Sequence, residues 1–211
     1  MLASFGRLRY HCSVEYLVAP ERYDAGGFVL RSYEPGHGAL LSDAVNSSYD
    51  HLHPWMAWAR PEQSIEESER LVRQFRGRYL LAKDFLLGIF SADETRLLGG
   101  TGFHLREGSL STGCAEIGMF IRQSEAGQGL GTRVLAALLR WGFTEWPWYR
   151  LAWRCDERNR ASIRVAEKAG LRHEGVLRGQ HAEVGDGRRD TACYALTRPE
   201  WIGKAGGEPL E

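Results

Sequence analysis

Apolar residues recur at three- and four-residue steps from Leu130 through Val134, Leu135, Leu138 and Leu139. That period predicts a helix running to about residue 146, where Pro147 stops it. Just upstream, Ala115-Glu116-Ile117-Gly118-Met119-Phe120-Ile121 alternates, which predicts a strand over 113–121. Alternating or apolar runs bounded by turn residues predict further strands over 27–33, 85–90, 97–105 and 149–155. Helical patterns cover 36–49 and 64–81. The second opens on a capping box of Ser64 and Glu67 and takes its apolar side from Ile65, Leu71, Val72 and Phe75. A further helix begins at Asn159, a good N-cap, and ends at Gly170, a good C′ residue. The chain then closes with a hairpin, 175–184 and 188–196, turned at Gly185-Asp186-Gly187. Residues 1–26 carry no pattern that assigns them beyond an extra strand or a dimer contact, and 202–211 read as a loose, Gly-rich tail.

Between the strand at 113–121 and the helix that follows lies Gly127-Gln128-Gly129-Leu130-Gly131. Glycine lets backbone N–H groups approach a ligand, and the first turn of a helix leaves several of them unpaired. The helix dipole adds partial positive charge. Such a junction suits a phosphate or pyrophosphate. The bland reading is a helix cap that is merely Gly-rich. A P-loop is excluded, because Thr132-Arg133 follows Gly131 where Lys-Ser/Thr is required. A dinucleotide fingerprint needs G-x-G-x-x-G, and the loop reads G-x-G-x-G. Asp156 ends the next strand about where a ribose-binding acid would lie, but the upstream strands read as an antiparallel meander.

Glu116-Ile117-Gly118, the glycine loop, and Asn159-x-x-Ser162-x-x-x-x-Glu167-Lys168-x-Gly170-Leu171 together resemble the GNAT N-acyltransferases, and more narrowly their RimJ/RimL branch. His51-Leu52-His53-Pro54-Trp55-Met56-Ala57-Trp58-Ala59 is similar to an early segment of that branch, and Glu174-Gly175-Val176-Leu177-Arg178 to its last strands. The resemblance covers about residues 27–201. It implies an α/β (α+β) GNAT fold: a central mixed, mostly antiparallel twisted sheet of about seven strands, flanked by four helices. It also implies transfer of an acetyl group from acetyl-CoA to a primary amine by direct attack in a ternary complex. The acceptor would be a protein N-terminal α-amine or a small-molecule amine. The alternatives are a non-catalytic acyl-CoA-binding module and a dinucleotide-dependent oxidoreductase, which would bind NAD and not coenzyme A.

Composition narrows the partners. Lys+Arg and Asp+Glu are 27 each, so no global basic field argues for nucleic acid. Nor does any acidic excess favour polyamines or aminoglycosides. Cys12, Cys114, Cys155 and Cys193 lack metal-ligand spacing, and no metal is expected. Cys155 reads as a core thiol. No stretch has the length of a membrane span, and the N-terminus lacks a signal-peptide core, so a cytoplasmic protein without membrane partners is the expectation. Homodimers are common in the branch, and a homodimer is expected here.

The candidate base is Glu116, acting directly or through water, because a carboxylate mid-strand is costly without a partner or a task. The ordinary reading is a salt-bridged strand carboxylate. The resemblance implies that Ser162 lies near the coenzyme sulfur and positions or protonates it. A tyrosine that many GNAT proteins carry four residues later is Ala166 here. Asn159 would hydrogen-bond the pantetheine arm. Coenzyme contacts are expected from Met119, Phe120, Ile121, Ala126, Gly127, Gln128, Gly129, Leu130, Gly131, Thr132, Asn159 and Ser162, with a backbone N–H near Phe120 on the thioester carbonyl. Ala126 departs from the Arg or Gln usual at the head of the loop, and Arg122, Gln123 or Arg133 are the available substitutes. His51, Trp55, Trp58 and His181 are expected to line the acceptor pocket. A strand imidazole such as His181 could serve as a base, although such a residue is more often simply half-exposed.

Overall fold

Eight strands in one sheet organise the chain, in the order β1-β2-β3-β4-β5-β6-β8-β7. They are β1 (Arg22–Asp24), β2 (Phe28–Ser32), β3 (Phe85–Ser91), β4 (Leu97–His104), β5 (Cys114–Ile121), β6 (Arg150–Asp156), β7 (Arg172–Ala182) and β8 (Arg188–Thr197). The helices are α1 (Gly38–Asn46), α2 (Tyr49–Leu52), α3 (Ile65–Leu80), α4 (Leu130–Thr144), α5 (Arg160–Lys168) and α6 (Arg198–Lys204). The structure, a computed structural model, describes residues 17–106, 110–182 and 187–204. The hairpin turn expected at Gly185-Asp186-Gly187 begins outside the described residues, as does Cys12.

Two expected counts are corrected. The eighth strand is β1, inside the stretch where no pattern was legible, and it pairs antiparallel with β2. The described residues hold six helices rather than four: α2 is a single extra turn, and α6 occupies positions that read as the domain end and the start of a loose tail. Pro199 sits in the first turn of α6, where its missing N–H would be unpaired anyway.

The local signals act as chemistry requires. Ser64 Oγ accepts from the Glu67 N–H and Glu67 accepts from the Ser64 N–H, both at 3.1 Å. Helix α5 ends in a Schellman motif: Gly170, at φ 82°, donates to Glu167 O, and Leu171 donates to Ala166 O, each at 3.0 Å. Helix α4 buries Leu130, Val134, Leu135, Leu138, Leu139 and Trp141 on one face of the sheet. On the other face α1 and α3 cover Val29, Tyr33, Phe90 and Leu97. Val72 is buried as the pattern required, with Leu71 and Phe75 packed beside it, but Ile65 at the first helical position is 55 % exposed.

Arg198 ties the end of α4 to β8. Its guanidinium donates to Trp148 O at 2.7 and 3.0 Å, to Trp146 O at 2.8 Å, and to Phe143 O. Three carbonyls would lose a charged donor in Arg198→Met, so a loss of about 2–4 kcal/mol is expected in urea unfolding. A change below about 0.5 kcal/mol would show that water replaces these bonds freely.

Candidate active site

Strands β5 and β6 run parallel, whereas the other strand pairs are antiparallel. Their pairing extends from Cys114 opposite Arg150 to Ile117 opposite Trp153 and then stops. Yet β5 continues to Ile121 and β6 to Asp156. A slot therefore opens between the two strands beyond Ile117 and Trp153. Its polar lining follows from alternation. The Arg122 N–H donates to Leu98 O at 2.8 Å, so even-numbered residues of β5 direct their backbone groups to β4. Met119 and Ile121 consequently turn their N–H groups toward the slot, flanking Phe120.

The glycine loop stands at the mouth of the slot. Gly129 is the N-cap of α4 at φ 80°, ψ 0°, and Gly127 has φ 77°. A Cβ at either position would meet nothing within 4 Å. A Cβ on Gly131 would touch Val165 at 3.4 Å, with Ile121 and Met119 close behind. The loop thus joins the slot wall directly. Leu130 is buried and anchors the first turn, while Gln128 Nε2 donates to Ser124 O at 2.9 Å. The first-turn N–H groups have no partner within the helix. Open space beside exposed amides fits a pyrophosphate. Two of the substitutes for the residue missing at Ala126 are engaged elsewhere: Arg122 pairs with Asp43 at 2.6 Å, and the Arg133 guanidinium lies over Phe28.

Helix α5 brings Asn159 and Ser162 to the β6 side. Asn159 Oδ1 accepts from the Ser162 N–H at 3.0 Å, so Asn159 is the N-cap. Ser162 Oγ accepts from the Trp153 indole N–H at 3.1 Å. That bond takes a lone pair of the hydroxyl oxygen and leaves its proton for a second partner. Cys155, which read as a plain core thiol, lies within reach: burial pushes its thiol up, against a hydrogen bond with Ser162. Asp156 is buried, and its carboxylate accepts from the Arg158 backbone N–H and side chain at 2.8–3.1 Å. Arg158 holds its carboxyl below the usual range. This carboxylate orders the turn into α5 and is not presented as a ribose ligand.

On the α1/α3 face of the sheet lies a second group of side chains. Glu116 is buried, with a side chain 5 % exposed. Its Oε1 is ion-paired with Arg106, and its Oε2 lies 3.5 Å from Arg154. His104, opposite Glu116 in register, hydrogen-bonds through Nδ1 to Asp84 at 2.9 Å. Phe120 meets Trp58 edge to face at 5.5 Å. Arg189 of β8 donates to Trp55 O at 3.2 Å, which ties the closing hairpin to the 53–59 segment. Of the expected pocket residues, Trp58 reaches this face through its ring and Trp55 meets Arg189 through its backbone carbonyl. His51 is exposed on α2 and His181 is exposed on β7, outside the Trp58–Phe120 contact.

Residues 28–172 match the acetyltransferase (GNAT) domain family. The chain belongs to the GNAT family. Two relatives from Bacillus subtilis (strain 168) are each 28 % identical to this acetyltransferase. The probable N-acetyltransferase YjcK aligns over 138 residues, 65 % of this chain and 75 % of YjcK. The uncharacterised N-acetyltransferase YoaA aligns over 137 residues, 65 % of this chain and 76 % of its own. Among solved structures, the ribosomal L7/L12 alpha-N-protein acetyltransferase RimL, in complex with coenzyme A, superposes with a TM-score of 0.76 at 23 % identity, covering 84 % of this chain and 98 % of RimL. The microcin C7 self-immunity acetyltransferase MccE, in complex with acetyl-CoA and AMP, gives 0.75 at 20 %, covering 85 % and 97 %. At these identities the likeness shows the GNAT fold.

Within this GNAT chain, Trp153, Arg106, Arg154, Asp84 and His104 were not singled out by sequence. Arg154 shares a face of β6 with Ala152 and Asp156, which was a readable signal. Pairing His104 with Asp84 required the register of the sheet. Among the described residues no His/Cys/Asp/Glu cluster could hold a metal, and no helix is long and apolar enough to cross a membrane.

Proposed function

We propose that this GNAT protein transfers an acetyl group from acetyl-CoA to a primary amine in a ternary complex, with a protein N-terminal α-amine as the leading acceptor. The observation that carries the reading is the slot between β5 and β6, with amide donors on one wall, a hydroxyl on the other and an anion-binding helix start at its mouth. Acetyl-CoA, when bound, supplies an activated acyl carbon and a thiolate leaving group. Gly127, Gln128, Gly129, Leu130, Gly131 and Thr132 hold its pyrophosphate through backbone N–H groups, with Ala126 leading into the loop. Asn159, the slot-facing amides of Met119 and Ile121, and the Phe120 segment between them line the pantetheine path and supply the donor for the thioester oxygen. Ser162, polarised by the Trp153 indole, donates toward the sulfur. Glu116 is the buried anion that fixes Arg106 and Arg154 beside the acceptor. An α-amino group ionises near pH 8 and a lysine near 10.4, so an N-terminal acceptor asks less of the base. The N-terminal acceptor matches the activity in the name of RimL, which shares the fold.

Free-thiol release from acetyl-CoA tests the reading. Peptides with Ser, Ala or Met N-termini, spermidine, an aminoglycoside and free amino acids serve as acceptors. Release with a peptide, abolished by prior N-acetylation, is the expected result. Coenzyme binding without release from any acceptor would favour a binding module; no coenzyme binding would defeat the reading altogether. Ser162→Ala is expected to lower kcat about tenfold, the size of one hydrogen bond, with acetyl-CoA affinity unchanged. A variant as fast as wild type would place Ser162 away from the sulfur.

A further inference from the structure

His104 and Asp84 form a pair on the acceptor face of the slot. Nδ1 lies 2.9 Å from the Asp84 carboxylate, and because an ionised carboxylate only accepts, Nδ1 carries the proton and the neutral imidazole has its lone pair on Nε2. That nitrogen lies over Gly118: a Cβ built there would sit 2.8 Å from it, a contact that glycine alone permits. Gly118 is the first residue of β5 past the last pair with β6, and it immediately precedes Met119, whose N–H faces the slot. The two side chains are 13 % and 20 % exposed, so the imidazole is held rather than free to rotate into solvent. The charged groups around it are Asp84 from the turn before β3, Glu116 from β5, and the two guanidiniums on Glu116, Arg106 after β4 and Arg154 from β6.

Glu116, directly opposite, would have to leave an ion pair to take a proton, since both of its oxygens face guanidiniums. The imidazole already has its orienting partner on one nitrogen and its other nitrogen over Gly118, the first β5 residue past the stretch paired with β6. We propose that His104, oriented by Asp84, is the proton acceptor for the attacking amine. The proposal rests on the acetyltransferase reading above. One proton passes from the ammonium of the acceptor to Nε2, giving an imidazolium stabilised by Asp84. The freed nitrogen lone pair forms the new C–N bond to the acetyl carbon. The C–S bond breaks with its electron pair on sulfur, beside the Ser162 hydroxyl. The nitrogen loses a second proton as the amide forms; of the two protons released, one protonates the thiolate and the other passes to solvent.

The test compares wild type, His104→Gln, His104→Ala and Asp84→Asn with the best acceptor from the thiol-release panel. Calorimetry fixes the acetyl-CoA affinity of each. His104→Gln is expected to lower kcat/KM about a hundredfold at unchanged acetyl-CoA affinity and to remove the ionisation that limits wild type at low pH. Imidazole in the buffer restores part of the rate of His104→Ala. Asp84→Asn loses about tenfold, as an orienting residue should. In the free protein, nitrogen NMR reads His104 protonated on Nδ1 in wild type and as a tautomer mixture in Asp84→Asn. A His104→Gln enzyme with wild-type kcat/KM overturns the assignment and leaves the acetyltransferase reading intact. So does a slowed variant whose low-pH limb is unchanged, which marks a packing role, and so does wild-type His104 protonated on Nε2. Wild-type protein that releases no thiol with any acceptor overturns both.

Discussion

Gly129→Val is expected to weaken acetyl-CoA binding about a hundredfold while the sheet stays folded. Gly129 adopts φ 80°, a left-handed conformation that a β-branched residue occupies at a cost of about 1–3 kcal/mol. The new Cβ would meet nothing of the protein within 4 Å. It would instead fill the volume in front of the first-turn amides of α4. Either the loop relaxes and those amides turn away, or the valine occludes them; both remove the anion site. A hundredfold loss corresponds to about 2.7 kcal/mol. Gly26→Val supplies the control. Gly26 has φ 73° and the same open surroundings, but it lies in the turn between β1 and β2, a region that meets α4 through Tyr23 on Trp141 and Phe28 under Arg133. It carries the strain without touching the loop, and its coenzyme affinity should equal wild type. Calorimetric affinity of Gly129→Val within threefold of that control would remove the phosphates from this helix end.

The largest loss of stability is expected from Trp146→Ala, about 3–5 kcal/mol in urea unfolding. Trp146 is 2 % exposed just beyond the end of α4. Its ring stacks on Trp148 at 5.8 Å and meets Phe85, Phe103 and Trp141 at 4.9, 5.0 and 5.4 Å. These rings join α4 to β3, β4 and the approach to β6, so truncation opens a cavity shared by four elements. The indole N–H of Trp146 is buried without a hydrogen-bond partner. Trp146→Phe keeps most of the ring contact and removes that unmet donor, and should lose less than half as much. Equal losses for the two variants would show that the ring contacts contribute little.

Local signals in the chain were legible and distant pairings were not. Ser64 and Glu67 announce their capping box three residues apart, and Gly170 announces a helix end by itself, because each motif is decided within one turn of backbone. The apolar faces of α4 and β5 were readable for the same reason, through period alone. Ile65 misled because a helix's first position often lies clear of the core, whatever its side chain. Helix α6 carried a start signal, Pro199, that went unused. The arrangement around Glu116 is a different case. Arg106 reaches it from the turn after β4 and Arg154 from β6, and Asp84 reaches His104 across a hairpin, so each contact depends on sheet register. The same holds for the Trp153 indole on Ser162. Family resemblance supplied Ser162 and Asn159 but had no reason to supply their supports.

The β5–β6 seam also bears on how the molecule assembles. Strands β3 to β5 pair with near neighbours in the chain where loops are short, β3 with β4 and β4 with β5, and β7 closes on β8. Joining β5 to β6 requires the whole of α4 to cross over first, which makes the seam a long-range closure with a large loop entropy. The slot is therefore absent from either half of the sheet alone. It needs β5 and β6 side by side, so under the proposed function activity on refolding is expected to return no earlier than their pairing.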